Sequence, residues 1–214
     1  MKTDELITML STNLEPVDHS KLPHGLAIAM AVGGAGALVV AFLALGARPD
    51  FGSPGAMTFL AVKLVFAVAV FVVSSVFLFR VVRPGGERRT HLALAVAPFA
   101  GIMLLAALSL VSAPSAHWEA MMMGDRWLQC LVSIPIIATL PFAAIVWAVR
   151  RFALPTDLVR AGTFIGLVAG GVSAIGYALH CTDDSLPFIA LWYSGTIALC
   201  TVAGAVLGPR LLRW

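Results

Sequence analysis

Charge is what this sequence has least of. Charged residues make up 12% of its 214 residues, about half their share in a soluble globular domain. Apolar residues make up 60%, which leaves too little polar surface to cover a water-soluble fold. The net charge of +3 forms no basic stripe on a folded domain, so direct nucleic-acid binding is not indicated. A glycine-rich nucleotide loop is missing, and so is any internal repeat or pair of broken helices of the kind transporters show. There is no CxxC or HxxxH spacing for a preformed metal site. No secretory signal peptide is apparent, because the first apolar run comes late and is too long for one.

What fills the chain instead is six long apolar stretches: Leu26–Gly46, Met57–Phe79, Leu92–Ser112, Trp127–Val149, Ala161–Leu179 and Leu186–Leu207. Each reaches the roughly 20 helical residues that cross a hydrocarbon core of about 30 Å. A helix pairs every backbone N–H and C=O internally, as such a core requires. The expected fold is all-α, a bundle of six transmembrane helices (26–214) behind a short cytoplasmic amphipathic segment (1–25). Lys63 is the one charged residue inside a stretch. Pumps and ion carriers line their paths with ionisable groups, so that near-absence speaks against such a role. The protein is expected not to be an enzyme.

Orientation follows from Lys and Arg in the short connections. Eleven lie in the N-terminal segment, in the connections after the second and fourth stretches, and in the C-terminal tail. The other three connections hold only Arg48 and Arg126, beside Asp50, Glu119, Asp125, Asp183 and Asp184. Both termini are therefore expected in the cytoplasm of a multi-pass protein of the bacterial inner membrane, its lipid bilayer the first partner. Arg48, Glu119 and Asp183 then face outward.

Small residues mark close helix approaches. Gly162, Gly166 and Gly170 share a face of the fifth stretch, and Gly204 and Gly208 repeat the spacing in the sixth. Such faces suit packing within one chain, or a dimer interface. Pro135 and Pro141 should kink or loosen the fourth stretch. Lys63 lies near the outer end of its stretch and is expected to snorkel to the headgroups, with an ion pair to Asp183 or Asp184 as the second option.

The first 25 residues read as a docking peptide. Thr3 can cap a helix, and Asp4 and Glu5 suit its first turn. Leu6, Ile7, Leu10 and Leu14 then fall on one face, and Pro16 ends the run. So short a helix must lay its stripe on a partner, on the bundle or on the membrane. Its net acidic charge favours a protein with basic surfaces over an anionic leaflet. Docking to a partner and packing on the bundle both remain open.

Cys130 and Cys181 fall near the same outer boundary on different stretches, while Cys200 lies deep in the sixth as a small apolar filler. His180, Asp183 and Asp184 are close in sequence, with His117 one connection away, and such a set can ligate a borderline metal. Met121 to Met123 would suit soft metals or simply pack at the interface. The plainer reading is two unrelated membrane cysteines rather than a paired site.

Several segments resemble a known family. They are the opening Met1 to Ile7, Trp127-Leu-Gln-Cys130, Arg160-Ala-Gly162, Tyr177-Ala-Leu-His-Cys181-Thr-Asp-Asp184, Trp192-Tyr193, and Gly208-Pro-Arg-Leu-Leu-Arg-Trp214. Together they are similar to the negative regulator of sigma F family of bacterial six-span anti-sigma factors. The resemblance implies a cytoplasmic N-terminal segment that sequesters an extracytoplasmic-function sigma factor at the inner membrane. It also implies that Cys130 and Cys181 sense heavy metal or oxidant stress from the periplasm. No resident cofactor is expected, only a heavy-metal ion held for a time at Cys130 and Cys181. The rival reading is a small transporter or membrane enzyme using the outward His/Cys/Asp cluster, for instance a metal exporter.

Overall fold

The computed structural model describes residues 21–50, 52–83 and 92–213, together with residues 3, 5, 9 and 11. All regular structure among them is helical. The elements are α1 (Lys21–Leu45), α2 (Pro54–Val81), α3 (Leu92–Ser112), a 3₁₀ turn (Ser115–His117), α4 (Trp118–Met123), α5 (Trp127–Phe152) and α6 (Leu158–Ala178). A single turn α7 (Leu186–Phe188), a π-helical turn (Ile189–Tyr193) and α8 (Ser194–Leu211) follow as one continuous stretch. Among the described residues, six helices are long and apolar enough to cross a membrane. The turn and α4 fill a connection in which the apolar pattern predicts no element.

Local chemistry sets several boundaries. Ser53 Oγ accepts from the Ala56 N–H at 3.2 Å ahead of Pro54, Asp157 Oδ1 accepts from the Arg160 N–H at 2.9 Å, and Ser185 Oγ accepts from the Phe188 N–H at 3.2 Å. Each satisfies a backbone donor left open at a helix start. Gly46 ends α1 with φ of 77°, a left-handed conformation that side chains resist. α5 runs on through Pro135 and Pro141, and the fold adds Pro98 inside α3 and Pro209 inside α8.

The core is centred on α6, which packs against α1, α2, α5 and α8. Of its most apolar window 67% is buried, against 11% for α3, which lies at the edge beside α2 and the start of the last helix. Glycine explains the central place. A Cβ on Gly162 would fall 2.8 Å from Gly208 Cα, and one on Gly208 would fall 2.6 Å from the Leu158 carbonyl. Gly166 meets the Cys200 backbone, Gly170 the Ile197 backbone, and Gly171 the Phe71 backbone of α2. The two glycine faces expected from sequence therefore pack on each other within one chain. Large apolar side chains such as Leu43, Val65 and Val111 cover the exterior, a surface compatible with lipid.

Of the N-terminal segment, Thr3, Glu5, Met9 and Ser11 are helical and exposed, so Thr3 sits inside the helical turn rather than ahead of it. Asp4, Leu6, Ile7, Leu10 and Leu14, the predicted docking face, lie outside the described residues.

Candidate functional site

Cys130 lies in the first turn of α5, and Cys181 follows the end of α6. The Cys130 N–H donates to the Arg126 carbonyl at 2.9 Å, and the Cys181 N–H to the Tyr177 carbonyl at 3.0 Å. Both side chains are fully buried in one apolar cluster, and all three cysteines are free thiols. Asp183 and His180, beside Cys181, contact Arg126 and Gln129, beside Cys130, so the two cysteines flank one junction. Burial pushes the Cys181 thiol up, against the pull of the Lys63 ammonium, so at neutral pH it is protonated. Cys200 packs with Ala138 and Ala169, apart from the pair, as a filler does.

Lys63 corrects the sequence expectation. It does not snorkel; it is fully buried. Its ammonium donates to the Cys181 carbonyl and to Asp184 Oδ1, both at 2.9 Å. Asp184 Oδ2 also takes Arg48 Nη2 at 2.7 Å, while Arg48 Nε holds Asp50 Oδ1 at 2.7 Å. A buried cation without such partners would cost far more than its stem gains. The hydrogen bond to Asp50 pushes Arg48 up, and the same bond draws Asp50 down. The Arg48 N–H donates to the Leu179 carbonyl at 3.1 Å. The loop after α1, the third turn of α2 and the segment carrying Cys181 are thus clamped together.

The remaining predicted ligands are occupied. His180 Nδ1 lies 3.3 Å from the Gly46 carbonyl, and Nε2 lies 3.3 Å from Arg126 Nη1 and from Gln129 Nε2. A guanidinium can only donate, so Nε2 is the accepting nitrogen and the proton sits on Nδ1. Burial lowers the His180 pKa, opposed by the Gly46 carbonyl. Asp183 accepts from the Asp125 and Arg126 backbone N–H groups at 3.3 and 2.8 Å. His117 is exposed on its turn. Among the described residues, no three His, Cys, Asp or Glu side chains are grouped to hold a metal.

Ring and backbone contacts join the start of α5 and the connection before it to the last helix. Trp127 and Trp192 pack with ring centroids 5.0 Å apart. Trp192 Nε1 donates to the Met122 carbonyl at 2.9 Å, and Ser185 Oγ to the Met121 carbonyl at 2.6 Å. The methionine run therefore serves through its backbone. Tyr177 and Tyr193, ring centroids 5.9 Å apart, are fully buried. Sequence reading gave neither tyrosine a role, although they are the only two in the chain.

The sequence pattern of the family described as "Negative regulator of sigma F" matches residues 10–214. A protein of Azospira oryzae named "Probable anti-sigma-F factor NrsF" is 32% identical over 214 residues, covering all of both chains. The "Anti-sigma-F factor NrsF" of Caulobacter vibrioides is 31% identical over 216 residues, again covering both chains in full. No solved structure matches.

Proposed function

The chain belongs to the negative regulator of sigma F family, and from that premise we propose that it holds an extracytoplasmic-function sigma factor inactive at the bacterial inner membrane. The observation that carries this is the likeness to anti-sigma-F factors along the whole chain. Those relatives are regulators, and the reading is a non-enzymatic one. The N-terminal segment, 1–25, is the docking element through Asp4, Leu6, Ile7, Leu10 and Leu14. The bundle, 26–214, is the sensor, crossing the membrane with both termini in the cytoplasm.

Cys130 and Cys181 receive the signal. An oxidant would join them as a disulfide, and a heavy-metal ion would displace their two protons and bridge the sulfurs. Either way the first turn of α5 becomes tied to the segment beyond α6. That segment is clamped by Lys63 to α2, so strain there reaches three helices. Such a tie changes the docked state only if the tied and untied packings differ in free energy. His180, Asp183 and Asp184 support the site by fixing the loops around it.

The test is co-purification in mild detergent. A sigma factor should leave the membrane fraction with the full-length protein in stoichiometric amount. Replacing Leu6 and Leu10 with Asp removes two apolar side chains whose burial against the partner is worth about 1.5–3 kcal/mol each, so the complex should weaken on the order of 10²-fold or more. Cys130→Ser and Cys181→Ser should each retain the sigma factor yet fail to release it under Cd²⁺ or diamide. A protein that captures no sigma factor but moves metal across proteoliposomes would replace this reading with an exporter.

A further inference from the structure

Four buried hydroxyls have no hydrogen-bond partner among the described residues: those of Ser173, Tyr177, Tyr193 and Ser194. Hydroxyls elsewhere in these helices bond back to a preceding carbonyl, as Ser74 does to Val70 at 2.6 Å and Thr201 to Ile197 at 2.7 Å. A buried tyrosine ordinarily finds a partner as well. The two phenols are the unusual pair. Tyr193 ends the π-helical turn, a widening common at functional sites, and its ring packs against that of Tyr177 with centroids 5.9 Å apart. Tyr177 sits four residues before Cys181, and its carbonyl accepts the Cys181 N–H at 3.0 Å. Two sulfurs and two unpartnered oxygens, all fully buried, therefore lie in one core cluster at the same end of the bundle.

We propose that Tyr177 and Tyr193 contact the bound signal beside the thiol pair, and that these four groups take a divalent thiophilic cation as a two-sulfur, two-oxygen site. This rests on the cysteine-sensing reading and adds to it. Charge decides the valence. Two thiolates neutralise a divalent ion, whereas a monovalent one would leave net charge in an apolar core. Lys63 does not alter that balance, because Asp184 already matches it. The phenols add donors without charge, reaching the four that such ions commonly take, while the sulfurs select for softness. The neighbouring imidazole and carboxylates are already engaged: the free lone pair of His180 with Arg126 and Gln129, Asp183 with backbone N–H groups, Asp184 with two cations. Loading releases the two thiol protons to solvent as both sulfurs bond the ion.

The full-length protein in detergent would be titrated with Cd²⁺ alone, following the ultraviolet sulfur-to-metal absorption, and melted without metal. Tyr193→Phe and Tyr177→Phe should each weaken Cd²⁺ binding about tenfold, as the loss of one such contact does, and the double variant should weaken it further. Their melting points without metal should equal or exceed that of the unaltered chain, because each loses only an unpartnered hydroxyl. Unchanged Cd²⁺ binding in the Phe variants, with binding lost in Cys130→Ser and Cys181→Ser, overturns this inference and leaves cysteine sensing in place. Lower melting points in the Phe variants overturn it too, since the hydroxyls would then have protein partners. Unchanged binding in the cysteine variants overturns both readings. No absorption in the unaltered chain overturns the cation and leaves the thiols to an oxidant.

Discussion

Lys63 shows what one residue does when its charge is enclosed. Its ammonium reaches Cys181 and Asp184, 118 and 121 positions away in sequence. Removing one partner of such a buried pair costs about 3–5 kcal/mol, because the other is left uncompensated. Asp184→Asn strands Lys63, though Arg48 keeps Asp50. Asp184→Asn and Lys63→Met should each lower the detergent melting point substantially, and the double variant should lose much less than the sum of the two. Additive losses would show that the pair is not one unit. His180 gives a pH signature. Its folded pKa is lowered, chiefly by burial, from an ordinary value of 6.5. The folded state therefore binds fewer protons than the unfolded one, and stability present above pH 6.5 is lost as pH falls through the lower folded value. The lowered Asp50 acts in the same direction at more acid pH. The protein should melt lower at pH 5.5 than at pH 7.5, and His180→Asn should narrow that gap.

Among elements, the contact between α6 and α8 is the least tolerant of change. A Cβ at Gly162, Gly166 or Gly204 would meet backbone atoms of the facing helix, which no side-chain rotation relieves. Gly166→Ala and Gly204→Ala should each destabilise the bundle by about 1–3 kcal/mol. Gly101 is the control. It lies within α3, where a Cβ would meet nothing within 4 Å, so Gly101→Ala should be neutral or gain the roughly 0.5–1 kcal/mol of a helical Gly-to-Ala exchange. Melting curves of the three variants decide it. The clamp at the other neighbour of α6 is of a different kind: α2 is held by apolar contacts such as Phe77 on Phe164, centroids 5.5 Å apart, and by the buried ammonium at its far end.

At the scale of the whole molecule, the two ends differ in charge. The end with Cys130 and Cys181 keeps Lys63 and Arg48 paired with Asp184 and Asp50. Arg150 and Arg151 close α5 at the opposite end, where Arg80 and Arg210 also lie in last turns. Cytoplasmic loops carry such an excess. Reporter fusions after Arg151 and Trp214 should behave as cytoplasmic, and one within the connection at Glu119 as periplasmic. A periplasmic signal at Trp214 would invert the proposed route from thiols to docking segment.

The sequence by itself determined the elements. Six apolar runs of spanning length predict six helices, and the described residues hold six, with α3 at the predicted Leu92–Ser112 and α5 starting at the predicted Trp127. Glycines spaced by four predicted a close face and found one. These features are local: length, period and spacing are properties of a single helix. Tertiary structure decided which faces meet. Nothing local tells Lys63 whether it will reach headgroups or Asp184, since that depends on how α2 and the segment beyond α6 are rotated and shifted against each other. The same packing put both tyrosines of the chain beside two thiols, from positions that share no period, and it committed His180, Asp183 and Asp184 to partners that outweigh any resemblance to a ligand set.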